Sequence, residues 1–118
     1  MEYDNEFWEA VDKLVAECEI IIDRPKGTAH PRFPDSVYKV DYGYLKGTSS
    51  MDGGGIDVWR GSDLNNAAHL VDAVIITVDL MKRDSEIKLL LGCTEEEKRL
   101  IYEGINDSVY MKGIMIRR

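Results

Sequence analysis

The sequence predicts an α+β fold, mainly β, and three observations carry that expectation. Short runs of β-branched and alternating apolar residues recur along the chain, notably Ile20-Ile21-Ile22, Tyr38–Tyr44 and Val71–Leu80. Glycine- and aspartate-rich turns separate them at hairpin spacing. Only two segments carry helical periodicity, one near each end. The sum is five or six short strands with two helices, as in an α+β protein or a small barrel.

The elements follow in order. Phe7, Trp8, Val11, Leu14 and Val15 recur at helical spacing over 5–17, and Asp4 or Asn5 can cap that helix. Glu19–Asp23 reads as a buried strand. Residues 24–36 contain all three prolines, Pro25, Pro31 and Pro34, with Gly27, which excludes a helix or a central strand. Residues 37–45 alternate, with Tyr38, Val40, Tyr42 and Tyr44 on one face. Met51–Gly55 is a turn into a strand at Ile56–Arg60, and 62–68 is a short helix or a loop. Val71–Leu80 is the strongest strand. Lys82–Ser85 reads as a hairpin connection into Glu86–Leu91. Thr94-Glu95-Glu96-Glu97 is a capping box opening a helix to about 105. Val109–Ile116 is a last strand, and the local spacings favour antiparallel pairing.

One domain over 1–118 is expected at this length, with enough core to fold without staples. The apolar runs are far too short to span a bilayer, and the opening residues are acidic where a secretory signal would be basic. Cys18 and Cys93 make neither a zinc site nor a disulfide framework, so a cytoplasmic setting is expected. The formal net charge of −7 argues against nucleic acid and anionic lipid as partners. That charge is unevenly placed. Residues 1–23 carry eight acids and one base, whereas 24–118 carry 14 of each sign. Phe7 and Trp8 can pack on the same domain or on a second subunit, which leaves a homo-oligomer open.

Four groups of residues can carry chemistry. The loop Arg24-Pro-Lys26-Gly-Thr-Ala-His30-Pro-Arg32 holds cations on a proline-stiffened backbone, suited to phosphate oxygens or simply to solvent. Asp52-Gly-Gly-Gly-Ile-Asp57 places two carboxylates around a glycine turn, as for a divalent cation or an ordinary hairpin. In Asp84-Ser-Glu86-Ile-Lys88, Glu86 and Lys88 share a strand face while Ile87 and Leu89 face the core. Tyr38, Tyr42 and Tyr44 are core rings or hydroxyl donors. His30 and His69 are isolated in sequence. Cys93, before a helix, is a packed thiol or one of lowered pKa. A metal-bound phosphate would use all of these classes: carboxylates for the ion, cations for residual charge, hydroxyls for orientation.

These segments resemble soluble inorganic pyrophosphatases of family I. The resemblance lies in Asp23-Arg24-Pro-Lys-Gly-Thr-Ala-His-Pro, Tyr38-Lys-Val-Asp41-Tyr42-Gly43-Tyr44 and Met51-Asp52-Gly-Gly-Gly-Ile-Asp57-Val58, and is looser over 71–91. It implies an OB-type five-stranded barrel with an N-terminal and a C-terminal helix, and Mg2+-dependent hydrolysis of pyrophosphate by metal-activated water, with Mn2+ as a substitute. By motif position it implies Asp52, Asp57, Asp84 and Glu86 as metal ligands. Asp57, Arg24 and Lys88 would be catalytic; Arg24, Lys26, Tyr38, Tyr42 and Lys88 would bind substrate. Gly54 replaces the middle Asp of the family's Asp-Gly-Asp-Pro-x-Asp-Val hallmark, and Asp41 replaces its usual Asn. The family's N-terminal hairpin is replaced by an acidic helix, and Tyr102-Glu103 is the nearest match to its C-terminal Tyr-Lys pair. The alternative is a weakened pyrophosphatase-like module that binds pyrophosphate or another phosphorylated ligand without efficient turnover.

Overall fold

In a computed structural model, which describes residues 2–50, 53–63 and 70–118, six strands and two helices follow one another along the chain. They are α1 (Glu2–Glu17), β1 (Ile20–Arg24), β2 (Asp41–Leu45), β3 (Ile56–Arg60), β4 (Val71–Asp79), β5 (Asp84–Leu91), α2 (Glu95–Asn106) and β6 (Met111–Arg117). The sheet order is β1-β2-β3-β5-β4-β6. All neighbours are antiparallel except β3 and β5, where Asp57 lies opposite Lys88 and Trp59 opposite Leu90 in a parallel pair.

This corrects two expectations. The sheet is open and six-stranded, not a closed five-stranded barrel, and one central pairing is parallel. β5 turns back on β4 as an antiparallel hairpin and lies between β4 and β3, which leaves it parallel to β3. A crossover of that kind depends on tertiary packing and leaves no local turn signal. The strand expected over 37–45 is shorter. Val37 makes only an isolated bridge with Ala29, and the ladder starts at Asp41. The segment 62–68 falls largely outside the described residues, as does His69.

The period of two sorts each strand onto two faces. On one face Leu45, Val58, Val74, Leu89 and Leu91 pack beneath α1 through Trp8, Val11 and Val15. Trp8 therefore serves the core of its own chain, with Phe7 edge-on beside it and 42% exposed. On the other face Ala73, Ile75, Leu90 and Cys93 pack beneath α2 through Ile101 and Ile105. The register shift between Val71 and Ala73 lets Val71 join the α1 side although β4 otherwise keeps its alternation. The capping box of α2 is present, with Thr94 Oγ1 accepting from the Glu97 amide at 3.2 Å and Glu97 Oε1 accepting from the Thr94 amide at 2.8 Å. Among the described residues no helix is long and apolar enough to cross a membrane.

Asp12 ties α1 to the sheet. Its carboxylate accepts from the Val71 amide at 3.0 Å and pairs with the Arg118 guanidinium at 2.7 Å. Burial works to raise its pKa, but the hydrogen bonds from Arg118 and Val71 outweigh it and hold the pKa below the ordinary 3.8. A carboxylate depressed on folding stabilises the native state above its unfolded pKa and loses that contribution as pH falls through the folded value. Asp12→Asn is expected to remove about 1–2 kcal/mol at neutral pH and less as the pH falls below the folded-state value. Urea unfolding at neutral and at acidic pH checks the difference.

Candidate functional site

The α2 side of the sheet is only half covered. Beyond the α2 contact the same face turns polar, and there it forms a cleft of about 300 Å³. The register explains the composition. Tyr42 lies opposite Trp59, Tyr44 opposite Asp57, Asp57 beside Lys88, and Glu86 and Asp84 opposite Thr77 and Asp79. Strand alternation thus delivers side chains from β2, β3, β5 and β4 to one surface. Arg24 at the end of β1, with His30 and Tyr38 from the loop that follows it, closes one side. A second groove, of about 380 Å³, lies against α1 between Asp4, Trp8 and Arg118 and shares none of these residues.

Lys88 is the centre of the cleft. It is 8% exposed, and its ammonium donates to Asp57 Oδ2 at 2.7 Å and to the Tyr42 hydroxyl at 3.1 Å, with Glu86 Oε2 at 3.6 Å. Burial opposes its charge, but Tyr42 and Asp57 outweigh burial and hold its pKa above the ordinary lysine range. It is a fixed cation at neutral pH. Burial pushes the Tyr42 phenol up, so that hydroxyl stays protonated. Arg24 donates to the Tyr38 hydroxyl at 2.6 Å, and its guanidinium lies 5.7 Å from the ring centroids of Tyr38 and Tyr42. Two cations and two phenols therefore meet over an aromatic floor, in which Tyr42 packs against Trp59 with centroids 4.5 Å apart. The Trp59 indole nitrogen is buried and has no hydrogen-bond partner among the described residues.

Of the residues expected from sequence, Arg24, Tyr38, Tyr42, Asp57, Asp84, Glu86 and Lys88 line this cleft. Lys26 does not. Its side chain is exposed, and it contributes its backbone amide to Asp41 Oδ1 at 2.8 Å, which anchors the loop. Asp41 completes that anchor with Arg60 at 3.6 Å. Asp52 and Met51 lie outside the described residues. Tyr102 and Glu103 stand on the exposed side of α2, where Glu103 pairs with Arg99. Cys93 is the packed thiol. Burial foremost, with Glu97 and Asp72 nearby, pushes its pKa up to about 12, opposite to the lowered value entertained from its place before a helix.

The sequence reading passed over Thr77, Asp79, Trp59 and the role of His30. Thr77 and Asp79 follow Ile75 at period two, so the strand pattern already placed them on the face of Lys88. Asp79 is 8% exposed, and its Oδ1 accepts from the amides of Met81 and Lys82, which shapes the turn into β5.

Among the described residues, no group of three or more His, Cys, Asp or Glu side chains is gathered so as to hold a metal ion. The Lys88 ammonium lies between Asp57 and Glu86 and supplies the positive charge those carboxylates require. As arranged here Asp57 and Glu86 are engaged by Lys88, and Asp52 lies outside the described residues, so the expected ligand set is not assembled among the described residues.

No family model matches the chain, and no curated protein sequence matches it. Among solved structures it is similar to the inorganic pyrophosphatase from the pathogenic bacterium Helicobacter pylori. The two share 15% identity over 84% of this chain and 83% of that one, with a TM-score of 0.59. The chain therefore has a pyrophosphatase-like fold, and at that identity the likeness speaks for the fold alone.

Proposed function

We propose that the cleft binds pyrophosphate or a related phosphorylated small molecule, with Arg24 and Lys88 as the charged donors and Tyr38 and Tyr42 as oriented hydroxyls. The observation that supports this best is the buried, permanently charged Lys88 held among Tyr42, Asp57 and Glu86 on the floor of a cleft that Arg24 flanks. Lys88 is already paired with Asp57 and Glu86, so it fixes the site and orients the Tyr42 hydroxyl, and Arg24 brings the charge that attracts an anion. Tyr38 holds Arg24 from one side while the remaining guanidinium donors can serve a phosphate bidentately. Arg24→Ala is expected to weaken calorimetric binding of inorganic pyrophosphate at least about tenfold, the loss of one charge-assisted contact. A parent protein that takes up no pyrophosphate would remove the reading.

A second reading is hydrolysis of a phosphoanhydride with Mg2+ or Mn2+, in a cytoplasmic setting. The pyrophosphatase-like fold favours it, as do the carboxylates of Asp57, Asp79, Asp84 and Glu86 along the same cleft. Asp52, Asp57, Asp84 and Glu86 are the residues to test as metal ligands, and Asp57, Arg24 and Lys88 those to test for the reaction. Phosphate release from pyrophosphate with either metal, compared between the parent and Asp57→Asn, separates this reading from binding alone.

A further inference from the structure

The loop that closes the cleft is an ordered tongue. Gly27 donates to the Tyr38 carbonyl at 2.8 Å, Tyr38 to that of Thr28 at 2.9 Å, His30 to that of Ser36 at 2.8 Å, and Ser36 to that of Phe33 at 2.8 Å. Pro31 and Pro34 stiffen the tip between them. This architecture presents Phe33, 63% exposed, at the start of the terminal turn. A single exposed phenylalanine needs no explanation. Phe33, however, ends a continuous row of rings. Its centroid is 5.1 Å from His30; His30 stacks on Tyr38 at 6.0 Å and 13°; Tyr38 stacks on Tyr42 at 5.5 Å and 23°; and Tyr42 meets Trp59.

The row starts at the phosphate-type donors and ends at the surface. Tyr38 and Tyr42 carry the hydroxyls that meet Arg24 and Lys88, and each has rings packed about it. Free aromatic surface lies at the outer end, on Phe33 beside His30. His30 Nδ1 accepts from the Arg32 amide at 3.0 Å, which fixes its tautomer with the proton on Nε2. Burial, with Arg24, Arg32 and Lys82 nearby, lowers its pKa, so its ring is neutral at pH 7 and free to stack. Inorganic pyrophosphate would use the inner part of this arrangement and leave the outer rings idle.

We infer that the cleft selects a phosphorylated compound that also carries a planar aromatic group, a nucleoside diphosphate in the simplest case. Its phosphates lie at Arg24, beside Tyr38, and its base at the outer end of the row on Phe33 and His30. The inference rests on the phosphate-binding reading above and narrows its substrate class. Stacking on an aromatic side chain tolerates any base, so the rings choose the class and not the nucleotide.

Calorimetric titration of the parent and of Phe33→Ala with ADP and with inorganic pyrophosphate tests it. ADP is expected to bind roughly tenfold more tightly than pyrophosphate. Phe33→Ala should lose about that factor for ADP and keep pyrophosphate within about twofold, and Phe33→Trp should retain ADP binding. Phe33 is exposed, so its replacement leaves the core untouched. ADP binding no tighter than pyrophosphate, or an equal loss of both on Phe33→Ala, overturns the inference while leaving the phosphate site standing. Failure of both ligands to bind the parent overturns the underlying reading and this one with it.

Discussion

Lys88→Met will lower the unfolding free energy by about 3–5 kcal/mol, the cost of leaving buried carboxylates without their cation. Methionine keeps the volume and removes the charge. The Asp57 and Glu86 side chains, 22% and 10% exposed, lose the ammonium that compensates them, and the Tyr42 hydroxyl loses its donor. Asp57 retains some access to water, which favours the lower end of the range. With total stabilities of about 5–15 kcal/mol usual for a domain, a loss of that size brings the protein close to unfolding at body temperature. Urea titration should show a lowered midpoint with an unchanged slope. Adding Glu86→Gln to Lys88→Met should recover part of the loss, because the two residues form one electrostatic unit. A loss under about 1 kcal/mol for Lys88→Met alone would show that the ammonium is not buried as described.

Gly43→Ala is expected to have a comparable effect by a steric route. A methyl group at this position in β2 would lie 1.8 Å from the Ile21 carbonyl oxygen and 2.8 Å from the Ile22 Cα, both backbone atoms of β1. No rotamer change relieves such a clash, so β1 must move. The β1–β2 ladder already shifts register between Ile21 and Arg24, and Arg24 ends that strand. Displacing β1 therefore withdraws Arg24 from the cleft. The expected cost is about 3 kcal/mol, the upper end for overpacking, together with loss of pyrophosphate binding. Gly104→Ala is the control. It adds a methyl to an exposed position of α2 with nothing within 4 Å, and should stabilise the protein by about 0.5–1 kcal/mol. Thermal unfolding of the two variants side by side checks both signs.

Local features were readable from sequence, and long-range ones were not. The capping box at Thr94 and the hairpin between β4 and β5 follow from adjacent residues; the cap appears as expected, and the hairpin is present with its turn at 80–83 in place of the expected 82–85. The alternation Glu86-Ile87-Lys88-Leu89 placed the two charged side chains on the open face, because period two is a property of the strand itself. The parallel pairing of Asp57 with Lys88 has no such local origin; it joins two strands that β4 separates in sequence. The open sheet, against the expected barrel, is likewise a matter of how edge strands meet. Within the site, Arg24 and Lys26 are indistinguishable as neighbouring cations, yet one enters the cleft and the other is exposed. His30 looked isolated because its ring partner Tyr38 arrives only when the tongue folds back on itself.

The central claim is that an anion binds over Lys88 between β2, β3 and β5. Titration of the isotopically labelled protein with inorganic pyrophosphate, followed by amide and side-chain chemical shifts, tests it most directly. The largest saturable shifts should fall at Arg24, Tyr42 and Lys88, with the Lys88 ammonium protons among them, and α1 and the outer face of α2 should stay still. Shifts confined to the groove between α1 and Arg118, or none at all, would contradict it.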